Sequence, residues 1–288
     1  MIKGPVLQAR GLTKRFGKGC AKCCDSAGPA FNTNVCPHCR SVLACNNVDF
    51  DLYSDEVLGV VGESGSGKST LIRLCHFDWD ITRGDMRLKL NADASRLLAW
   101  EPPDDNLFNL SPFRKRQLRN MVMGIVYQNP HLGLRMGISS GGNIAERLLM
   151  AQWRGVAKMR ERASELLEKT EVPVNRMDEP PKNFSGGMQQ RVQISKALSN
   201  SPVILLLDEV TTGLDVSVQA RVLDLLRSLQ QELHVATIVV SHDLGVIRQL
   251  TSRTMVMKHG QVVESGLTDQ ILEDPQHPYT QLLVSSAL

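Results

Sequence analysis

The stretch Gly62–Ser69, with the sequence GESGSGKS, constrains the fold of this chain more than any other segment. It fits the pattern G-x-x-x-x-G-K-[ST] and lies between an apolar run, VLGVV, and a segment of helical character, KSTLIRLCHF. In that context the glycines let backbone N–H groups converge on phosphate oxygens, and the N-terminus of the following helix adds a favourable dipole. The sequence therefore predicts a phosphate-binding loop (P-loop) between a strand and a helix.

The residues of this loop are candidates for binding ATP. Lys68 would reach the β- and γ-phosphates, and the Ser69 hydroxyl would ligate Mg²⁺. An ordinary glycine-rich turn is the alternative interpretation, and the flanking strand and helix argue against it. The other candidates for ATP binding are Gly62, Glu63, Ser64, Gly65, Ser66, Gly67 and Thr70.

Two carboxylates follow the buried apolar run VILLL. Asp208 would hold Mg²⁺, directly or through water. Glu209 would orient and polarise the attacking water, because hydrolysis of a γ-phosphate needs positioning more than covalent help. The alternative is a strand end with two solvated carboxylates. Beside a P-loop, the pair favours nucleotide hydrolysis.

Strands and helices alternate over most of the chain. Apolar runs such as VATIVVSHD predict buried strands, and the stretch from Asn143 to Val172 has a helical pattern. TMVMKHGQVVESG predicts a hairpin that turns at Gly260, and the segment 85–115, with its prolines and acids, predicts a long surface excursion. The pattern as a whole predicts an α/β fold with a mostly parallel sheet and an antiparallel patch near the front.

Four further motifs follow the P-loop in order. Gln128 follows a short strand, FSGGMQQR begins at Phe184, TTGLD ends at Asp215, and His242 follows ATIVVS. Together with the P-loop they resemble the ATP-binding cassette (ABC) ATPases along nearly the whole chain. The resemblance implies an ABC-type P-loop NTPase with an antiparallel β subdomain and an α-helical subdomain.

The resemblance also implies domain boundaries. A single ABC ATPase domain would span 1–288, and a helical subdomain with the signature motif would occupy 129–200. A C-terminal tail would cover 266–288, and a small inserted knuckle would cover 17–46.

In the family that the motifs resemble, two cassettes close head to tail around two ATP molecules. The partner would be a second copy of this chain or a sister cassette. Gln128 would contact Mg²⁺ and the water and sense the partner protein, and Asp215 would lie at the dimer seam. His242 would contact the γ-phosphate and Glu209. Phe16 would stack on adenine, with a plain core phenylalanine as the alternative. The signature residues that would cap ATP in the partner are Ser185, Gly186 and Gly187.

This chain departs from the family pattern at three points. Val210 follows the catalytic glutamate where the family usually has proline. The signature reads FSGGM in place of LSGGQ, which puts Phe184 and Met188 at its edges. Phe16 lies further before the P-loop than usual, because the knuckle intervenes. The first two departures leave every expected catalytic side chain in place.

Several stretches are similar to the K subunits of carbon–phosphorus lyase systems, among them NFSGGMQQRVQISKAL and GQVVESGLTDQILEDPQHPYTQLLVSSAL. This likeness implies a cytoplasmic ATPase that docks on a soluble lyase core complex and couples ATP hydrolysis to phosphonate catabolism. Cleavage of the C–P bond would belong to another subunit. HPYT also resembles the ends of oligopeptide and nickel importer ATPases, so a subunit that drives a membrane permease is the alternative.

Most of the cysteines are concentrated near the N-terminus, before the P-loop. Two C-x2-C pairs separated by twelve residues resemble a zinc ribbon, which predicts a closed structural Zn²⁺ site. An iron–sulfur cluster and a loop with free thiols are the alternatives. The predicted ligands are Cys20, Cys23, Cys36 and Cys39, whereas Cys24, Cys45 and Cys75 are predicted to be spare or buried and His38 to point outward.

Composition argues against several other functions. The net charge is only +3, the N-terminus has no apolar signal region, and the apolar runs are too short to span a bilayer. A DNA-repair-like cassette with a zinc module is a further alternative. The knuckle offers Phe31 as its only aromatic residue and few net positive charges, so binding of nucleic acid is not expected.

Overall fold

The computed structural model describes residues 4–90, 98 and 100–286. The chain divides into two compact units: the first comprises Met1–Lys115 with Ala236–Leu288, and the second comprises Arg116–Val235. Nine strands lie among the described residues: β1 (Leu7–Phe16), β2 (Val42–Leu52), β3 (Val57–Val61), β4 (Arg83–Leu88), β5 (Met123–Val126), β6 (Ile204–Asp208), β7 (Ala236–Val240), β8 (Arg253–Lys258) and β9 (Gln261–Leu267).

The same described residues contain ten α-helices, five of which lie wholly in the second unit. They are α1 (Lys68–Cys75), α2 (Pro112–Met121), α3 (Pro130–Gly133), α4 (Ser140–Met150), α5 (Val156–Lys169), α6 (Gly186–Leu198), α7 (Val216–Leu233), α8 (Leu244–Leu250), α9 (Thr268–Glu273) and α10 (Pro278–Ser285).

The first unit contains a three-stranded antiparallel sheet in the order β2-β1-β4. In this sheet β1 alternates buried and partly exposed residues, and Leu7, Ala9 and Leu12 are fully buried. That alternation is the expected pattern for a sheet with one covered face. At the far end of the β1–β2 pair, Phe16 pairs with Val42, so residues 17–41 form the connection at the tip of a hairpin.

The prediction of a surface excursion over 85–115 is wrong at its start. Residues up to Leu88 belong to β4, which pairs with β1, and Met86 is completely buried. Only two apolar residues alternate in this strand, which is too short a pattern to recognise in sequence. Further along, Leu107 is also fully buried. Residues 91–97 and 99 of the segment lie outside the described residues.

A second set of strands in the first unit leads to the P-loop. The five residues of β3 are all buried, and β3 pairs in parallel with β7 and β8. Burial on both faces explains the uninterrupted apolar run VLGVV. β9 pairs antiparallel with β8, and the predicted hairpin turn at Gly260 is confirmed.

The second unit combines the parallel strands β5 and β6 with helices α3 to α7. Its helix α6 carries several buried or partly buried polar side chains, among them two that bond to other segments of the unit. Gln193 exchanges two hydrogen bonds with the backbone of Tyr127, at 2.7 and 3.0 Å. Lys196 donates to Glu146 at 2.8 Å and to the carbonyl of Gly133 at 2.9 Å. These bonds fix the helix that begins at the signature motif.

A membrane-spanning segment was not expected from the apolar runs. Within the described ranges, none of the helices combines the length and the apolar character that crossing a bilayer requires.

The close approach of β5 and α6 generates a prediction about stability. A Cβ atom at Gly124 would lie 2.6 Å from the carbonyl oxygen of Ala197, so Gly124→Ala should push the helix from the strand. We expect a loss of about 1–3 kcal/mol in the free energy of unfolding, measured by urea denaturation. The control is Gly137→Ala, because a Cβ there meets no atom within 4 Å. Equal stabilities of the two variants would contradict this packing.

Candidate functional site

The P-loop connects β3 to α1 and requires glycine at two positions. Gly62 and Gly67 have φ angles of 149° and 108°, which L side chains rarely adopt. A Cβ at Gly62 would lie 2.1 Å from the carbonyl oxygen of Met257, and one at Gly67 would lie 2.0 Å from that of Ala44. The tight glycine turn therefore lets neighbouring backbone pack directly against the loop.

Lys68 is the first residue of α1, and its side chain folds back over the loop. It is 4% exposed, and its Nζ donates hydrogen bonds to the carbonyl oxygens of Gly62 at 2.7 Å and Glu63 at 2.9 Å. Ser69 and Thr70 follow in the first helical turn and are half-buried. An ammonium group and the N-terminus of a helix thus lie at the same loop, an arrangement suited to a polyanion.

A tyrosine that the motif analysis did not single out also contacts the P-loop. The hydroxyl of Tyr279 accepts a hydrogen bond from the backbone N–H of Glu63 at 3.0 Å. Tyr279 lies in the HPYT stretch at the start of α10 and is 5% exposed. The nearby Lys258 ammonium lies 4.7 Å from the centre of its ring. The HPYT stretch was the sequence signal, but it pointed to the subfamily and not to this contact.

Phe16, the candidate for adenine stacking, ends β1 and is 39% exposed. Its ring meets that of Trp79 edge to face, with 5.2 Å between centroids. The ammonium of Lys14 lies 5.1 Å from the Phe16 centroid, and the guanidinium of Arg73 lies 4.9 Å from that of Trp79. The second aromatic ring was not predicted, and it leaves the Phe16 ring partly accessible and fixed in orientation.

In the second unit, β6 ends at the predicted acid pair. Asp208 is 2% exposed, whereas Glu209 is half-buried. Glu209 has a φ of 47°, in the left-handed region that such residues adopt at a cost and mostly where function demands it. Its carboxylate accepts hydrogen bonds from Gln128 at 2.9 Å and from the Thr212 hydroxyl at 3.2 Å. The structure therefore brings Gln128 and Glu209 together.

The other predicted catalytic residue, His242, lies in the first unit. It is exposed in a bend directly after β7. Val210, which stands where proline was expected, is 3% exposed and belongs to the core.

The signature motif forms the N-terminus of α6. Ser185 is exposed and its side chain accepts a hydrogen bond from the N–H of Met188 at 3.4 Å. Gly186 is exposed and Gly187 is buried. A Cβ atom at Gly187 would lie 2.5 Å from the side chain of Val218. Asp215 is exposed at the N-terminus of α7. An exposed hydroxyl and helix N-terminus are suited to an anion supplied from outside the chain.

Phe184 and Met188, the two residues at which the signature differs from LSGGQ, contact the same side chain. The guanidinium of Arg176 lies 4.4 Å from the centre of the Phe184 ring and donates to the sulfur of Met188 at 3.6 Å. Phe184 is 6% exposed. Both residues therefore bind one arginine beside the motif and leave its serine and glycines unobstructed.

The four predicted metal ligands come together in the first unit. Their sulfur atoms all lie within 4.8 Å of one another. The Sγ atoms of Cys20 and Cys23 are 3.6 Å apart, those of Cys20 and Cys36 are 3.7 Å apart, and those of Cys23 and Cys39 are 3.3 Å apart. A tetrahedral ion with bonds of about 2.3 Å to sulfur requires sulfur separations of this size. The Ser41 hydroxyl, and then its backbone N–H, lowers the pKa of Cys39 to about 6, whereas burial raises the pKa of Cys20.

The other cysteines have different surroundings. Cys45 and Cys75 are fully buried, and burial raises the pKa of the Cys45 thiol well above its ordinary value and that of Cys75 to about 12. The structure thus places both in the core. Cys24 is half-buried beside the four clustered cysteines, and His38 is exposed.

Comparison with known proteins places the site in a family. The family model described as "ABC transporter" matches residues 45–212. Over 243 residues the chain is 49% identical to the putative phosphonates utilization ATP-binding protein PhnK of Escherichia coli (strain K12), covering 84% of this chain and 91% of that protein. It is 37% identical over 285 residues to the dipeptide transport ATP-binding protein DppF of the same organism, covering 99% and 77% of the two chains.

Solved structures agree with this placement. The chain superposes with a TM-score of 0.73 on the ATP-binding cassette MJ0796 in a dimeric post-hydrolysis state bound to ADP and Pi. The two share 25% sequence identity over 91% of this chain and 98% of that one. The predicted fold class is thereby confirmed.

Lys68 generates the prediction for this site. Lys68→Ala removes the ammonium group that we expect to bind the phosphates, and it should weaken ATP binding about 100-fold, as loss of a charge-assisted contact does. The measurement is titration calorimetry with MgATP. Lys89→Ala is the matched control, because Lys89 is an exposed lysine of the same unit. Unchanged affinity in Lys68→Ala would contradict the assignment.

Proposed function

The chain belongs to the ATP-binding cassette family of ATPases, and on this basis we propose that it hydrolyses ATP to support the use of organic phosphonates. The observation that carries the proposal is the 49% identity to PhnK, which extends over 91% of that protein. The peptide-import relatives share 36–40% identity over 66–77% of their own lengths. Both the degree and the extent of similarity favour the phosphonate assignment.

The residues of the first unit would bind the nucleotide. The backbone of the P-loop would surround the phosphates, and Lys68 would exchange its bonds to two loop carbonyls for bonds to the β- and γ-phosphates. Phe16, held edge-on by Trp79, would stack on adenine. His242 would contact the γ-phosphate. The buried lysine supports this assignment, since its ammonium is already held at the loop.

The residues of the second unit would position the attacking water. Glu209 would hold the water and accept its proton, while the Gln128 amide would orient the carboxylate to which it already donates. The hydrogen bond from Gln128 supports this role, because it holds the carboxylate in one orientation. Hydrolysis would then depend on charge and position and require no covalent intermediate.

Cassettes of this family dimerise, as in the dimeric relative bound to ADP and Pi. In the proposed dimer, Ser185, Gly186 and Gly187 of each chain would cap the γ-phosphate held by the other. Asp215 would lie at the seam between the chains. The exposure of Ser185 and Gly186 supports this arrangement. A second copy and a sister cassette would both satisfy it.

Two metal ions fit the donor atoms present. Ser69 and Asp208 supply the hard oxygen donors that Mg²⁺ prefers, and Mg²⁺ when bound would neutralise charge on the β- and γ-phosphates. Four sulfur atoms within 4.8 Å suit Zn²⁺, which would be structural because no coordination position stays open. The four zinc ligands would be Cys20, Cys23, Cys36 and Cys39.

The proposed partner is a soluble carbon–phosphorus lyase core complex in the cytoplasm, on which the cassette would dock. Similarity to the dipeptide transport protein over 99% of this chain favours one competing function, that of an importer ATPase bound to a membrane permease. The two functions share every proposed catalytic residue. They differ in the nutrient that the cell needs this protein to use: phosphonates in the first case, peptides in the second.

Growth on methylphosphonate as the sole phosphorus source separates these functions. The strains compared are the parent, a deletion of the gene, and Glu209→Gln, which keeps the hydrogen-bonding shape but loses the base. We expect both mutants to stop growing on methylphosphonate. Glu209→Gln should behave like the deletion, because the proposed role needs ATP hydrolysis and not only the presence of the protein. Growth on phosphate and on peptides should stay normal.

The control strain carries His38→Ala, a change of an exposed side chain outside the proposed metal ligands. It should grow like the parent. Normal growth of the deletion strain on methylphosphonate would overturn the phosphonate assignment, and a defect confined to peptide use would establish the importer.

A further inference from the structure

The interior of the cysteine insert, residues 17–46, is built largely from sulfur. Its buried cluster offers only two other side chains, Ala27 and Leu43. So small an apolar core cannot hold a segment of this length in one conformation, and small domains of this kind rely on metals or disulfides. The sulfur atoms in the cluster come from Cys20, Cys23, Cys24, Cys36 and Cys39.

We infer that the metal-bound cysteine insert positions the P-loop, so that the affinity for ATP depends on the occupied metal site. The inference rests on the proposed zinc site and not on the phosphonate assignment. Three sets of contacts carry it, all within the first unit.

The first contact joins the insert to the P-loop directly. The side-chain amide of Asn34 donates a hydrogen bond to the carbonyl oxygen of Gly65, at a distance of 3.4 Å. Asn34 lies two residues before Cys36, and its own carbonyl accepts from the N–H of Leu43 at 2.8 Å. The position of this amide is therefore fixed by a metal ligand on one side and by β2 on the other.

The second set places the start of β2 against the end of the P-loop. Cys36 donates its N–H to the carbonyl of Ser41 at 2.8 Å, which closes the turn of the second cysteine pair just before β2. Three residues on, the Ala44 carbonyl occupies the space that a Cβ at Gly67 would need. The thiol of Cys45 points to the Gly67 carbonyl at 3.7 Å. The metal site and the P-loop thus share one short stretch of strand.

The third set ties the first cysteine pair to the same region. The carbonyl of Cys24 accepts from the side-chain amide of Asn46 at 3.3 Å. Asn46 in turn donates its backbone N–H to Gly260 at 2.7 Å, and Gly260 donates to the carbonyl of Ser66 in the P-loop at 2.9 Å. Asn32 and His259 add a side-chain contact at 3.2 Å. The segments that carry the two cysteine pairs therefore contact the P-loop through different neighbouring residues.

Loss of the metal would release these restraints together. A loop whose N–H groups already converge binds phosphate without a further cost of ordering, whereas a released loop must be ordered by the ligand. Metal removal should therefore weaken ATP binding while leaving Lys68 and Ser69 chemically unchanged.

The test uses the full-length purified protein. Its zinc content is measured by elemental analysis, and its affinity for ATP by displacement of the fluorescent analogue TNP-ATP, before and after zinc removal with a chelator. We expect one zinc ion per chain, an affinity about tenfold weaker after removal, and recovery when Zn²⁺ is added back. Zinc is removed from protein that has already folded. The result therefore does not require a cysteine variant to fold without zinc.

Three variants separate positioning from general stability. The double variant Cys36→Ser/Cys39→Ser should lose both zinc and affinity. The control Cys24→Ser changes a cysteine of the same insert outside the ligand set and should keep both. Asn34→Ala should keep its zinc and its melting temperature yet bind ATP about two- to fivefold more weakly, as expected for loss of one hydrogen bond.

Two results would overturn the inference. One is an affinity for ATP that does not change when zinc leaves the protein. The other is a parent protein without stoichiometric zinc, including one that instead shows the visible absorption and iron content of an iron–sulfur cluster. Neither result bears on growth with methylphosphonate, so the failure of this inference and the failure of the proposed function remain distinguishable.

Discussion

The direct packing of backbone against the end of the P-loop is the interaction on which the first unit depends. A Cβ at Gly67 would lie 2.0 Å from the carbonyl oxygen of Ala44, so β2 can approach this closely only because the side chain is absent. Gly260 also donates a hydrogen bond to the carbonyl of Ser66, at 2.9 Å. These neighbouring strands thereby restrict the conformations that the loop can adopt.

This packing also explains why an insertion is tolerated so close to the nucleotide site. Phe16 and Val42 pair at the end of the β1–β2 hairpin, so residues 17–41 replace a hairpin turn and the two strands still pair up to its base. Closing a long loop at this point costs little if the insert holds its own ends together. A four-sulfur metal site would do that, and it would add contacts to the loop that an ordinary turn could not make.

Residues whose chemistry demands a fixed type and spacing were predictable from the sequence, as the glycines and Lys68 of the P-loop illustrate. Tyr279 was not, because it reaches Glu63 across 216 positions of sequence and only folding brings the two together. β4 was missed because two buried residues, Met86 and Leu88, hardly make a pattern. In general, residues that act together within a short motif can be recognised in the sequence. Contacts that distant segments make with that motif cannot.

Hydrogen–deuterium exchange with and without MgATP tests most directly whether the P-loop is the point where the elements of the first unit meet. The account predicts that ATP slows exchange in the P-loop and also at Ala44, Gly260 and Tyr279, because each belongs to a segment that packs against the loop. Slower exchange confined to Gly62–Ser69, with no change in these three segments, would contradict it.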